Sequence, residues 1–230
     1  MVRFTYIFAI FLLIQTSCVG QKKYFQPTGV IDKTEEFSGK NIWIFLNDKE
    51  RIDGWTRIGD SIFGGEIACN AEPLKDIDTK TFKVLAGTQY AKDTNNVYYP
   101  IEIPCIDFID CGVCFYGRII VEGANPTAFR YLGKDYATDG KLVFFRGELL
   151  KDADGVTFQV IKGPEYFYFA TDKNRVYRHD QIFREADPAT FYYDKTNPRN
   201  IVSEYDNRYI IGDKNNKWEF IPPDNIKKIE

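Results

Sequence analysis

At 230 residues with 44% hydrophobic content, the chain is long enough to bury a substantial core, and one elongated domain is expected rather than two. A formal charge of −3 argues against general affinity for nucleic acid, which rests on clustered Lys and Arg displacing counterions. A single histidine, His179, removes most nucleophile-and-base arrangements at once, because a triad needs a base oriented by a carboxylate.

The first twenty residues read as a targeting segment. Arg3 supplies a positive end, Phe4 to Ile14 an apolar stretch too short to span a bilayer, and Gln15 to Gly20 an exit rich in small residues. The protein is therefore expected to leave the cytoplasm, for the periplasm or the outer membrane. The string QTSC, Gln15 to Cys18, resembles a bacterial lipobox in which Cys18 is lipidated and becomes the first mature residue. Gln15 stands where an aliphatic residue is usual, and the alternative is cleavage after Gly20.

Residues 21–69 are predicted to form N-terminal capping strands. GKNIWIFLN, Gly39 to Asn47, alternates like a strand, and IGDSIFGGEI, Ile58 to Ile67, resembles a later hairpin exit, VFFRGEL, Val143 to Leu149. Terminal units of repeat proteins are commonly degenerate in this way.

Residues 70–220 repeat themselves. KDIDTKTF (Lys75 to Phe82), EGANPTAF (Glu122 to Phe129), KDADGVTF (Lys151 to Phe158) and READPATF (Arg184 to Phe191) align without a gap. In each, Asp78, Asn125, Asp154 or Asp187 stands four residues before a Phe, with Ile77, Ala124, Ala153 or Ala186 just ahead. An Asx side chain can accept from first-turn N–H groups, Pro126 and Pro188 fit a first helical position, and the flanking apolar pair is spaced like a hydrophobic staple. Four short Asx-capped helical turns are predicted.

A second phrase follows the first three copies: YAKDTNNVYY (Tyr90 to Tyr99), YATDGKLVFF (Tyr136 to Phe145) and FATDKNRVYR (Phe169 to Arg178). YIIGDKNNKWEF, Tyr209 to Phe220, is a looser fourth version. Aromatic and β-branched residues around an Asp, Asn and Lys-rich middle are the composition of a β-hairpin. The predicted fold is mainly β: tandem hairpins, each behind a capped turn, stacked in a solenoid-like or extended antiparallel arrangement, with residues 221–230 as a tail.

The strings DKNRVYR (Asp172 to Arg178) and DKNNKWEF (Asp213 to Phe220), together with ADPATF (Ala186 to Phe191), resemble the bacterial DKNYY family over roughly residues 70 to 220. The resemblance implies a repeat fold and carries no catalytic residue. The chain departs from the pattern at Asp139 to Leu142 and in an insertion between Tyr99 and Gly123.

Cys69, Cys105, Cys111 and Cys114 form an even set in an exported chain, for which disulfides are expected, one within the insertion and one tying it to Cys69. Free thiols and a metal knuckle at Cys111 and Cys114 are the alternatives, although a second ligand pair is missing. His179 reads as an exposed loop residue. Asp93, Asp172 and Asp213 begin D-x-N strings, but Tyr98, Tyr177 and Trp218 occupy the position where a calcium loop needs Gly, so these are expected to be Asx turns. The aromatic rows, among them Tyr98, Tyr99, Phe144, Phe145, Tyr166, Phe167, Tyr168, Phe169, Tyr192 and Tyr193, fit either core or a ligand-stacking face. Carboxylate pairs such as Glu35 with Glu36, or Asp107 with Asp110, carry no geometry in sequence alone.

No cofactor and no metal are expected. The function expected is a non-enzymatic envelope protein recognising a protein or a surface polymer, with an immunity-type role among the options. The alternatives are an enzyme acting on envelope sugars and a purely structural envelope protein.

Overall fold

The computed structural model describes residues 29–64, 73–100, 119–164, 167–197, 201–202 and 207–229. The described residues are mainly β, forming five small sheets and no closed barrel. Among the described residues the only helix is the four-residue Thr34–Phe37.

The N-terminal sheet sets the plan. Strands Glu50–Ile52, Trp55–Ile58 and Ser61–Gly64 form an antiparallel meander, and Ile31–Asp32 joins its edge in parallel. The next sheet comprises Lys83–Leu85, Ala91–Lys92 and Val97–Tyr98, with Trp43–Phe45 paired outside Lys83–Leu85. Two meanders follow. Arg130–Gly133, Tyr136–Thr138, Val143–Phe145 and Glu148–Leu149 make one, and Gln159–Val160, Phe169–Thr171, Val176–Arg178 and Gln181–Ile182 the other. The last sheet contains Tyr192–Tyr193, Asn207–Gly212, Lys217–Ile221 and Asn225–Lys228. Residues 221–230, expected as a tail, thus contain an edge strand.

One backbone bond marks the same point in all five sheets. Leu74 N–H donates to the Ile62 carbonyl, Val121 to Val97, Leu150 to Val143, Phe183 to Val176 and Ile229 to Lys217, at 2.8 to 2.9 Å. By this register the N-terminal sheet is a unit of the same kind as the four that follow.

The predicted helical turns are single turns. Thr81, Ala128, Thr157 and Thr190 each donate their N–H to the carbonyl three residues back, on Asp78, Asn125, Asp154 and Asp187, and the chain then enters a strand. A strand beginning directly after the Phe leaves no second turn for an α-helix to propagate. The Asx Oδ1 atoms accept from Lys80, Thr127, Val156 and Ala189 N–H at 3.0 to 3.1 Å.

What locks each turn to its hairpin is the Asp of the hairpin phrase. Asp172 Oδ2 accepts the backbone N–H of Asp154 at 2.9 Å and the Tyr177 hydroxyl at 2.8 Å, while Oδ1 accepts Asn174 and Arg175 N–H at 2.7 and 2.8 Å. Asp93 repeats the set with Asp78, Asn95, Asn96 and Tyr98. Asp213 accepts the N–H groups of Asp187, Asn215 and Asn216, and Asp139 those of Asn125, Lys141 and Leu142. Asp93, Asp172 and Asp213 are only 4 to 5% exposed, so each is a buried carboxylate made tolerable by its donors.

The following lysine closes the device from outside. Lys173 Nζ pairs with Asp154 at 2.5 Å and Lys214 Nζ with Asp187 at 2.9 Å. The backbone N–H groups of Thr94, Lys173 and Lys214 donate to the hydroxyls of Thr81, Thr157 and Thr190. The second unit has Ala128 in place of that Thr, and there Gly140 N–H turns to the Thr138 hydroxyl instead.

Side-chain alternation builds the core. Ala91 and Tyr98 pack toward Trp55 and Ile62 of the preceding sheet, while Tyr90, Val97 and Tyr99 pack toward Phe129, Ala137 and Phe144 of the following one. Tyr136, Val143 and Phe145 meet Ala170 and Tyr177, and Phe169 and Val176 meet Ile211 and Trp218. Adjacent aromatics therefore serve two different cores, each shared by successive sheets. Of the rings that fitted either core or an open face, Tyr99 and Phe145 are buried at 8% exposed, whereas Tyr192 remains open at 37%. Tyr166 lies outside the described residues.

Polar rungs cross these cores. Trp55 Nε1 donates to the Gln89 carbonyl at 3.1 Å and the Tyr90 hydroxyl to that of Asp135 at 3.3 Å. The Tyr136 hydroxyl lies 3.0 Å from the Tyr168 carbonyl and 2.8 Å from that of His179. Each reaches into the next unit, and Phe169, lacking a hydroxyl, ends the series.

Replacing Asp172 by Ala leaves three N–H groups and one hydroxyl without their acceptor, and is expected to cost about 3 kcal/mol or more. Tyr177→Phe removes one donor, reproduces what Phe144 already does in the second unit, and is expected to cost about 1 kcal/mol. Urea unfolding of both variants checks the order. Burial pushes the Asp172 carboxyl up, yet its N–H and hydroxyl donors hold it below the ordinary value. The Lys173 ammonium and Thr157 N–H hold Asp154 down at about 2. Carboxyls lowered on folding contribute stability above their unfolded value near 3.8 and lose it as pH falls toward 2. The urea midpoint is therefore expected to drop steeply between pH 4 and pH 2.

Candidate functional site

A four-stranded meander has two ends. The D-x-N turns join second to third strands at one end, while the turns joining first to second and third to fourth strands lie at the other. This second end carries the tight loops Asp53–Gly54, Lys134–Asp135 and Arg146–Gly147, all with positive φ. Two-residue loops of this kind match the twist of the strands they join.

An open cavity of about 790 Å³ lies along this end, across the first three sheets. Asp53 and Gln89 stand on one side, Tyr99 and Pro100 at the centre, and Asp135, Arg146 and Glu148 on the other. Asp53 Oδ2 accepts Gly87 N–H at 2.7 Å. Burial pushes the Asp53 carboxyl above its usual value, opposed by that N–H and helped by the nearby Asp32 charge. Asp135 is paired with Arg146 Nε at 2.9 Å. Gly147 is required where the hairpins meet, because its φ is +78° and a Cβ there would lie 2.6 Å from the Tyr99 Cβ.

Pro100 is the last described residue before 101–118, and Tyr99 and Val121 bond across the resulting gap to Ile119 and Val97. Residues 101–118 thus stand in the chain where the second unit has only Arg146–Gly147. Residues 65–72 hold the same place in the N-terminal sheet, between Gly64 and Pro73. Cys18, Cys69, Cys105, Cys111, Cys114, Asp107 and Asp110 all lie outside the described residues.

His179 is not the fully exposed loop residue expected. It occupies the place of Arg146 in the turn after Arg178, with φ of 54°. Its ring stacks on Phe145 at 5.6 Å and 29°, and meets Tyr168 at 4.9 Å. Arg146 lies over both of those rings, 5.4 Å from Phe145 and 5.9 Å from Tyr168. Burial, then the Arg178 and Arg146 charges, pull the imidazole below its ordinary value. Glu35 and Glu36 sit in the short helix, away from the cavity.

Sequence reasoning missed Asp53, Asp135 and Glu148 as neighbours. Asp53–Gly54 was a visible turn signal, but nothing in the chain placed its carboxylate across from a hairpin some eighty residues later.

The profile of the DKNYY family matches residues 55–181. The match begins in the N-terminal sheet and ends in the third repeated unit, while the fourth unit lies beyond it. No curated protein and no solved structure matches the chain.

Because His179 is lowered on folding, neutral His179 contributes stability that is full above its unfolded value near 6.5 and declines as pH falls below it. The urea midpoint is expected to fall between pH 7.5 and pH 5.5. In His179→Phe, which keeps the ring stack, that part of the profile should flatten.

Proposed function

The chain belongs to the DKNYY family, and on that premise we propose that it is an exported, non-enzymatic envelope protein whose stacked repeats present a recognition surface to a protein or a surface polymer. The observation that carries this reading is the employment of the recurring ionisable groups. Asp93, Asp172 and Asp213 are buried and saturated by donors, and the single histidine packs against the Phe145 and Tyr168 rings. What the units leave to solvent is relief, chiefly the open cavity at the tight-turn end. A solenoid-like stack is supported by cores shared in strict succession between neighbouring sheets. An immunity-type role, neutralising an incoming toxin in the periplasm, needs only surface complementarity and fits the same reading.

Export rests on Arg3, the apolar run from Phe4 and the small-residue exit. Lipidation at Cys18 ties the product to the membrane, and intact mass of the mature N-terminus decides between that and a free Gln21. One disulfide within the Cys105 to Cys114 group and one tying it to Cys69 are favoured by the even count of these cysteines in an exported chain. Alkylation that shifts the mass only after reduction is expected.

One observation favours a second reading, an enzyme acting on envelope sugars. The same cavity holds a carboxyl raised by burial, Asp53, and a carboxylate paired to an arginine, Asp135, which is the division of labour acid–base chemistry uses.

Affinity capture with the mature chain from its native envelope separates the two. Recognition predicts a reproducible partner whose capture is unchanged by Asp53→Asn. The enzymatic reading predicts turnover of envelope glycans that Asp53→Asn abolishes. No reproducible partner and no turnover would leave only a structural role.

A further inference from the structure

A second opening, of about 300 Å³, lies between the sheet of the first repeated unit and the capped turn of the second. Its chemistry differs from that of the large cavity. Phe45, Lys83 and Lys92 occupy directly paired positions on three neighbouring strands, Phe45 opposite Lys83 and Lys83 opposite Lys92. Side chains opposite one another in this way share a face, so two lysines stand on one face in directly paired positions, an arrangement of like charges that is destabilising in itself. The corresponding pairs in later units are Arg130 with Thr138, Gln159 with Thr171 and Tyr192 with Gly212, so only this unit doubles the charge.

Among the described residues no carboxylate forms an ion pair with Lys83 or Lys92. Lys83 Nζ stands 4.3 Å from the centre of the Phe45 ring. Lys92 Nζ stands 4.5 Å from that of Trp43 and donates to the Pro126 carbonyl at 2.8 Å. Asp93 borders the opening, but its carboxylate is buried and occupied by Asp78, Asn95, Asn96 and Tyr98. An ammonium carries three donors, so both lysines keep protons to give. The Thr127 side chain lines the opening, and Phe45 is 52% exposed beside the lysines.

We propose that this cleft binds an oxyanion carried on a sugar, a phosphate or carboxylate held by Lys83 and Lys92 while the sugar ring lies against Phe45. Charge-assisted hydrogen bonds from two ammonium groups supply the attraction, and an exposed aromatic face suits the apolar side of a ring. Burial, and then the Lys83 charge, lower the Lys92 ammonium from its ordinary value, the direction an arriving anion would reverse. The inference deepens the recognition reading by naming the chemistry of a surface polymer, and rests on that reading.

The test is titration of the mature chain with inorganic phosphate, glucose 6-phosphate and glucuronate at millimolar concentrations, followed by calorimetry and by amide shifts of residues 83, 92 and 127. Saturable binding is expected, weakened about tenfold or more by Lys83→Gln and by Lys92→Thr, the residue found at this position in the second and third units. Preference for glucose 6-phosphate or for glucuronate assigns the anion. Equal binding of inorganic phosphate would overturn the sugar contact. Absence of binding by all three probes, or binding indifferent to both substitutions, would overturn the site. Removing one of two like charges should leave the urea midpoint unchanged or raise it, which guards against loss by unfolding. An envelope partner still captured by the double variant would sink this site while leaving the recognition reading intact.

Discussion

The buried aspartate of the hairpin turn is the constraint on which the rest of the molecule depends. A carboxylate taken out of water is costly unless its oxygens are filled, and here they are filled by backbone N–H groups from two places at once. One oxygen holds the hairpin's own turn, and the other reaches back to the capped turn 14 to 26 residues earlier. The bond joins the entry of a unit to its middle, so the Phe anchor and the aromatic strands are presented to the same cores. Trp218 gives a useful contrast. It replaces the tyrosine that would donate to Asp213, its indole N–H has no partner among the described residues, and the Asn216 amide approaches the carboxylate instead.

From that lock follows the division of the molecule into two ends and two faces. Strands two to six residues long cannot bury a core alone, but alternation sends neighbouring aromatics to the preceding and the following sheet. Each of the three middle sheets thereby contributes to two cores, and the first and last to one. The rungs from Trp55, Tyr90 and Tyr136 fix the offset between successive sheets, since each donor finds its carbonyl in the next unit's turn. Variation is then tolerated at the tight-turn end, where long connections replace two-residue loops without disturbing the D-x-N end. The open cavity lies there. The lysine cleft, by contrast, arises from a local departure within a sheet: two cations where later units place a threonine or glycine opposite a single residue.

Much of this was legible in the residues. The capping Asx, the Phe four residues on, the hairpin composition and the Asx-turn character of Asp93, Asp172 and Asp213 could be read from spacing, because each is a local preference of short chain segments. The helical label for the caps was not sound: a Phe followed at once by a strand stops the turn after one i to i+3 bond. The environment of His179 was equally hidden, since the rings it packs against, Phe145 and Tyr168, stand in other parts of the chain and meet it only in the folded structure.

The sequence by itself determined the capped turn, the hairpin phrase and their chemistry of turn-making, because hydrogen bonds over two to five residues depend on little beyond local order. Only the tertiary structure decided what each unit's aromatics bury and which charges meet. Asp53, Asp135 and Glu148 border one cavity, and Lys83 faces Lys92, through strand register and sheet stacking. A one-residue slip in either would send those side chains elsewhere, and no local preference records it.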